Sequence, residues 1–144
     1  MFNNILVLCT GNICRSPMAE AVLRERLYDS GANISSAGTS ALVGYPADPL
    51  AVDVAKQYGF DLATHRGRQA QPQLLATSDL VLVMTREHAD WVHERAPPLR
   101  GRVHLLGRWR EQEIPDPYGR DRSTFDSVFE QIDDCVADWL PRLT

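Results

Sequence analysis

Cys9 and Arg15 bracket the stretch Cys9-Thr10-Gly11-Asn12-Ile13-Cys14-Arg15, with Ser16 and Pro17 directly behind it. A thiol and a guanidinium at this spacing can grip one tetrahedral anion if the chain between them closes into a loop. The residue types favour such a loop. The apolar run Ile5-Leu6-Val7-Leu8 leads into Cys9 as a buried strand would, and Gly11 and Asn12 suit a tight turn. Ser16 before Pro17 reads as a helix cap followed by proline at the first helical position. Backbone N–H groups of the loop can turn inward as an anion cradle. The helix N-terminus adds partial positive charge at the same place, and arginine can hold two phosphate oxygens at once. In that field a thiol is favoured as the thiolate, its nucleophilic form. The stretch reads as a phosphate-sized hollow with sulfur at its floor. Taken singly, Cys9 also fits a buried strand end and Arg15 a surface residue; Gly11, Asn12, Ser16 and Pro17 decide for the loop.

Attack by Cys9 on a phosphate ester expels an oxygen that needs a proton, so a carboxylic acid should face the cradle. The candidate is Asp116, in Ile114-Pro115-Asp116-Pro117-Tyr118-Gly119. Two prolines stiffen this segment, which suits a side chain positioned from far along the chain. On its own, Pro-Asp-Pro is equally ordinary turn chemistry. Ser16 has two compatible roles, as helix cap and as hydroxyl donor to the Cys9 sulfur. Asn12 stands where a left-handed backbone fits, with a side chain able to brace the loop. Cys14 reads either as a small buried residue or as a resolving thiol, which would trap oxidised Cys9 as a reversible disulfide. Cys135 reads as core, and His88, His93 and His104 as structural or surface residues.

The elements that must carry these groups alternate strand with helix. Strands are expected at Asn4–Leu8, Asn33–Ala37, Leu80–Met84 and Val103–Leu106, the third a continuous apolar run typical of a buried parallel strand. A helix from Pro17 to about Asp29 buries Val22, Leu23 and Leu27 and stops at Gly31. Asp48-Pro49 opens a second helix, with Leu50, Val54, Ala55 and Tyr58 on one side and Gly59 at its end. Residues 63–73 read as polar and irregular. Thr85 caps a helix that Pro97 and Pro98 terminate, and a long loop, 107–122, follows the fourth strand. Ser123 and Asp126 read as the capping box of the last helix, whose Phe125, Val128, Ile132, Val136 and Trp139 follow helical spacing. The pattern predicts an α/β class, a doubly wound parallel sheet with helices on both faces, as one domain over residues 1–144. Ligands in such folds sit beyond the carboxyl ends of the strands, where the Cys9 loop lies.

At 144 residues the chain supports one domain with a substantial core. A net charge of −4 with no basic stripe argues against nucleic acid as a partner. The N-terminal apolar run is too short for a signal peptide and no segment could span a bilayer, so no membrane insertion is expected. Three cysteines without framework spacing point to a reducing cytoplasm. Neither a metal nor a cofactor is called for, since Cys9 and Cys14 lack obvious partner ligands for zinc.

The stretch Cys-Thr-Gly-Asn-Ile-Cys-Arg-Ser, a C-x5-R-[ST] pattern at the N-terminus joined to a distant Asp-Pro-Tyr, closely resembles the active-site loop of the low-molecular-weight protein tyrosine phosphatases. The resemblance implies a four-stranded parallel sheet in order 2-1-3-4. It implies Cys9 as nucleophile, Arg15 as phosphate-gripping residue and Asp116 as proton donor. The same carboxylate would then activate the water that frees inorganic phosphate from a cysteinyl-phosphate intermediate. Thr10, Gly11, Asn12, Ile13 and Cys14 would surround the phosphate. Asn12, Ser16, Ser36 and His65 would form a supporting hydrogen-bond network, though His65 alone reads as an ordinary loop histidine. Phosphotyrosine is long and flat, so the cradle should lie under an apolar wall, for which Ile13, Leu42, Tyr45 and Tyr118 are the candidates. Ile13 favours the tyrosine branch, because a related branch acting on phosphoarginine carries threonine there. The segment 36–48 is similar to bacterial members, which implies as partner a phosphotyrosine protein, an autophosphorylating tyrosine kinase of exopolysaccharide assembly. Rival readings are a thiol-dependent arsenate reductase, a protein-arginine phosphatase and a non-catalytic phospho-binding module. The reductase passes electrons through two further downstream cysteines, and between Cys14 and Cys135 there is none. A dead module should have lost Cys9 or Asp116, and both are present.

Overall fold

The computed structural model describes residues 2–144. Four strands, β1 (Asn4–Cys9), β2 (Asn33–Gly38), β3 (Leu80–Val83) and β4 (Val103–Leu105), form one parallel sheet in the order β2-β1-β3-β4. Five helices surround it: α1 (Arg15–Arg26), α2 (Pro49–Gln57), α3 (Pro72–Ala76), α4 (Arg86–Arg95) and α5 (Arg122–Leu143). The expected class and strand order are those observed. Among the described residues no helix is long and apolar enough to cross a membrane.

The central strand explains the two-sided architecture. Successive side chains of β1 point to opposite faces. Ile5, Val7 and Cys9 enter the core that α1, α2 and α5 cover with Met18, Val22, Leu23, Val54, Phe125 and Phe129. Leu6 and Leu8 enter the second core, with Leu75 of α3 and Val92 of α4. All four residues of β3 are buried, as a strand covered on both faces requires. The register pairs Cys9 with Gly38 of β2, while β3 ends at Val83 opposite Leu8. Cys9 therefore stands at the carboxyl edge of the sheet, where the next residues must leave it.

Helix boundaries differ from expectation in ways that matter for the site. α1 begins at Arg15 rather than Pro17, and Ser16 is no cap: the residue before the helix is Cys14, with no side-chain capping bond. Ser16 lies inside the first turn with its hydroxyl turned to Cys9. α1 ends at Arg26, and a 3-10 turn over Tyr28–Ser30 carries the chain to Gly31, whose φ of 77° makes the expected stop. In α5 the cap is Asp121, whose carboxylate accepts from Thr124 N, instead of the Ser123–Asp126 pair. The stretch expected to be irregular up to Gln73 already contains the start of α3. Asp48 and Thr85 cap α2 and α4 as their sequences suggest. Cys135 is buried in the α5 core.

Candidate active site

Residues 10–14 join β1 to α1, and their shape is set by where their carbonyls go. The oxygens of Cys9, Thr10, Gly11 and Ile13 accept from the backbone N–H groups of Thr39, Ser40, Leu42 and Asp48 at 2.8–3.0 Å. The Asn12 oxygen accepts from His65 Nε2 at 2.6 Å, and the Cys14 oxygen accepts from Met18 N at 3.3 Å. Six successive carbonyls are thus held away from the loop's concave side. A trans peptide plane sets each N–H opposite the preceding C=O, so the amides turn inward. Asn12 N–H shows the direction, reaching Cys9 Sγ at 3.3 Å. The reversal needs a left-handed residue, and Asn12 supplies it with a φ of 59°. The end of β2 and the loop approach so closely that a Cβ at Gly38 would overlap the Thr10 carbonyl oxygen.

The resulting cavity, about 210 Å³, is lined by Cys9, Thr10, Gly11, Ile13, Cys14, Arg15, Ser40, Leu42, Asp116 and Tyr118. Arg15 is 3% exposed. Its Nη1 donates to the Ile114 carbonyl at 2.9 Å, and its Nη2 lies 3.4 Å from Thr10 Oγ1 and 3.6 Å from Asp116 Oδ2. Its Nε is buried with no partner among the described residues. An unpaired guanidinium N–H is costly in a protein interior, and the side chain that carries it lines the cavity. Asp116 is brought here from far along the chain by Ile114, whose N–H donates to Met84 O at the end of β3. The carboxylate is half exposed and closes an Asx turn by accepting from Tyr118 N at 3.1 Å.

Beneath the cavity the hydrogens can be counted. Arg68 N–H donates to Asn12 Oδ1 at 2.9 Å, which fixes the amide's orientation. Both hydrogens of Asn12 Nδ2 then go to hydroxyls, Ser16 Oγ at 2.7 Å and Ser36 Oγ at 3.0 Å. Ser36 in turn donates to Glu20 Oε1 at 2.5 Å, and Arg24 pairs with that carboxylate at 2.7 Å. Ser16, accepting from Asn12, has one hydrogen left, and Cys9 Sγ is 2.9 Å away. Among the described contacts the Cys9 sulfur is the one acceptor open to that hydrogen, and in this direction the hydroxyl supports sulfur as a nucleophile. His65 Nε2 must carry a hydrogen, because the Asn12 carbonyl can only accept. The four residues expected to brace the loop are thus brought together.

One expectation needs correction. Tyr45 is outside the cavity lining, because Gly44, with φ 81°, makes a turn that carries Val43 and Tyr45 into solvent. Asn12 is fully buried, its side chain bracing the loop from below while its N–H turns inward with the other loop amides. Cys14 lines the cavity, and its thiol is pushed well above the usual range by burial first and then by the charge of Asp48. It stays a protonated thiol at neutral pH. Sequence reasoning missed Ser40, Glu20, Arg68 and His88. His88 is buried, with Nε2 2.9 Å from Thr10 Oγ1. Its spacing from Val92, one helical turn on, was the available signal.

A thiol, a guanidinium and a carboxylate converging on an inward-turned amide loop define a cysteine-dependent phosphomonoesterase. The chain belongs to the low molecular weight phosphotyrosine protein phosphatase family, whose model matches residues 4–144. It is 44% identical to the low molecular weight protein-tyrosine-phosphatase Etp of Escherichia coli strain K12, over 99% of this chain and 96% of that one. The crystal structure of the tyrosine phosphatase Wzb from Escherichia coli K30 in complex with sulphate superposes with a TM-score of 0.95, at 42% identity over 100% of both chains. The YwlE arginine phosphatase from Geobacillus stearothermophilus matches with a TM-score of 0.90, at 31% identity over 98% of this chain and 92% of that one. This chain is a protein tyrosine phosphatase of the low-molecular-weight type.

Proposed function

We propose that Cys9, Arg15 and Asp116 carry the reaction. Cys9 Sγ attacks phosphorus in line with the ester oxygen; the S–P bond forms as the P–O bond breaks, and Asp116 gives its proton to the departing tyrosine oxygen. Arg15 and the inward amides hold the equatorial oxygens through both transition states. Asp116, now a carboxylate, takes a proton from water as that water attacks phosphorus and the S–P bond breaks, which releases inorganic phosphate. The whole chain, residues 1–144, acts as one catalytic domain in the cytoplasm. Its substrate is a phosphotyrosine protein, a bacterial tyrosine autokinase of exopolysaccharide assembly, a reading that rests on the bacterial relatives. The observation that carries the reaction is that Cys9, Arg15 and Asp116 line one cavity, with Arg15 Nη2 3.6 Å from the Asp116 carboxylate.

The similarity to an arginine phosphatase supports a second reading, against which stands Ile13 in the cavity wall. Steady-state hydrolysis of matched phosphotyrosine, phosphoserine and phosphoarginine peptides, with chelator present, separates the two. Phosphotyrosine should be preferred and Cys9→Ser should be inactive. A preference for phosphoarginine would overturn the substrate assignment, and residual turnover in Cys9→Ser would overturn the nucleophile.

A further inference from the structure

A buried histidine beside the nucleophile loop has no part in the reaction as written. His88 is 4% exposed, with Nε2 2.9 Å from Thr10 Oγ1 and no partner for Nδ1 among the described residues. Thr10 Oγ1 also lies 3.4 Å from Arg15 Nη2, which has only hydrogens to offer, so this oxygen accepts from Arg15. Two neutral forms of His88 are then possible. Hydrogen on Nδ1 leaves a buried N–H without an acceptor and draws the Thr10 hydrogen onto Nε2. Hydrogen on Nε2 leaves only a bare lone pair, the commoner kind of buried orphan.

We propose that His88, in its Nε2–H form, is a positioning residue: it donates to Thr10 Oγ1 and so frees the Thr10 hydroxyl hydrogen for a non-bridging phosphoryl oxygen in the cavity. Thr10 lines that cavity. Its oxygen, held between the imidazole and the guanidinium, has no other use for the hydrogen among the described contacts. The imidazole is neutral, since burial first and then Arg15 push it down to about 4 against the opposing charges of Asp116 and Glu113. It therefore orients Thr10 without adding charge beside Arg15. The inference rests on the phosphatase reading of the site.

The test is a double-mutant cycle on kcat/KM with a phosphotyrosine peptide. Thr10→Val should lose about 10- to 150-fold, the range for a hydrogen bond to a charged group. His88→Leu should lose a similar factor in the parent and almost nothing in the Thr10→Val background. His88→Gln, whose amide can still donate, should keep most of the activity. Alkylation of Cys9 by iodoacetamide should be unchanged throughout, because the effect is on phosphate and not on sulfur. Long-range nitrogen–proton NMR of the parent should show His88 protonated at Nε2. Additive losses, a fully active Thr10→Val, or protonation at Nδ1 would each overturn the inference, and the last two need no His88 variant to fold. A parent inactive on phosphotyrosine would overturn the phosphatase reading itself, a different outcome from an active parent with additive losses.

Discussion

Removing one hydroxyl tests the hydrogen count beneath the cavity. Ser16 Oγ accepts from Asn12 Nδ2 at 2.7 Å and aims its own hydrogen at Cys9 Sγ, 2.9 Å away. A hydrogen bond to a charged group is worth about 1.5–3 kcal/mol. Ser16→Ala should therefore lower the reactivity of the Cys9 sulfur by about 10- to 150-fold, since each 1.36 kcal/mol is a factor of ten. Ser36→Ala breaks a bond one step further out and leaves the Ser16–Cys9 contact standing. Both variants leave one buried N–H of Asn12 unpaired, so both should lose about 1–3 kcal/mol of stability in urea titrations. Only Ser16→Ala should slow alkylation of Cys9 by iodoacetamide, followed by peptide mass mapping, together with kcat/KM. If Ser16→Ala and Ser36→Ala slow alkylation equally, or neither does, the hydrogen is not directed at sulfur and the count is wrong.

Asp116→Asn should slow esters with poor leaving groups far more than aryl esters with good ones; equal losses would remove Asp116 as proton donor. Gly38→Ala should cost tenfold or more in kcat/KM, because its Cβ would drive into the Thr10 carbonyl that Ser40 N–H holds at 3.0 Å. Gly31→Ala, with open space around a left-handed backbone, should cost only about 1–2 kcal/mol of stability and leave activity intact. Folded His88 is held at about 4 against the usual 6.5, so between these values the unfolded chain binds the extra proton. Stability should fall as pH drops from 6.5 to 4, by at most on the order of 3 kcal/mol, and His88→Gln should flatten that slope in urea titrations at stepped pH. Mild peroxide should give a loss of activity that added thiol reverses, and Cys14→Ser should make the loss harder to reverse; unchanged recovery would remove the resolving role.

Local patterns carried most of the fold. The apolar runs at 5–8 and 80–84 and the Asp48-Pro49 start are each decided by neighbours in sequence, and each appears where expected. Contacts outside these local patterns decided the rest. Ser16 reads equally as a cap until Asn12 and Cys9, four and seven residues away, are seen to occupy its hydroxyl. His65 gains its place only through the Asn12 carbonyl, 53 residues away, and Arg15 is anchored by a carbonyl 99 residues on. Tyr45 failed for the opposite reason. Residue type alone favours an aromatic wall there, whereas the left-handed turn at Gly44 decides which side chains of that segment face inward.

The belt of amides from Thr39 to Asp48 that pulls the loop carbonyls outward also contributes Ser40 and Leu42 to the cavity wall. Recognition and catalysis are consequently welded into one backbone unit. Lengthening or shortening this surface segment by a single residue would slip the belt against the loop and scramble the amide cradle. New substrate preferences on this scaffold must arise by exchanging side chains at positions such as Ile13, Leu42 and Tyr118, with the length of the segment left alone.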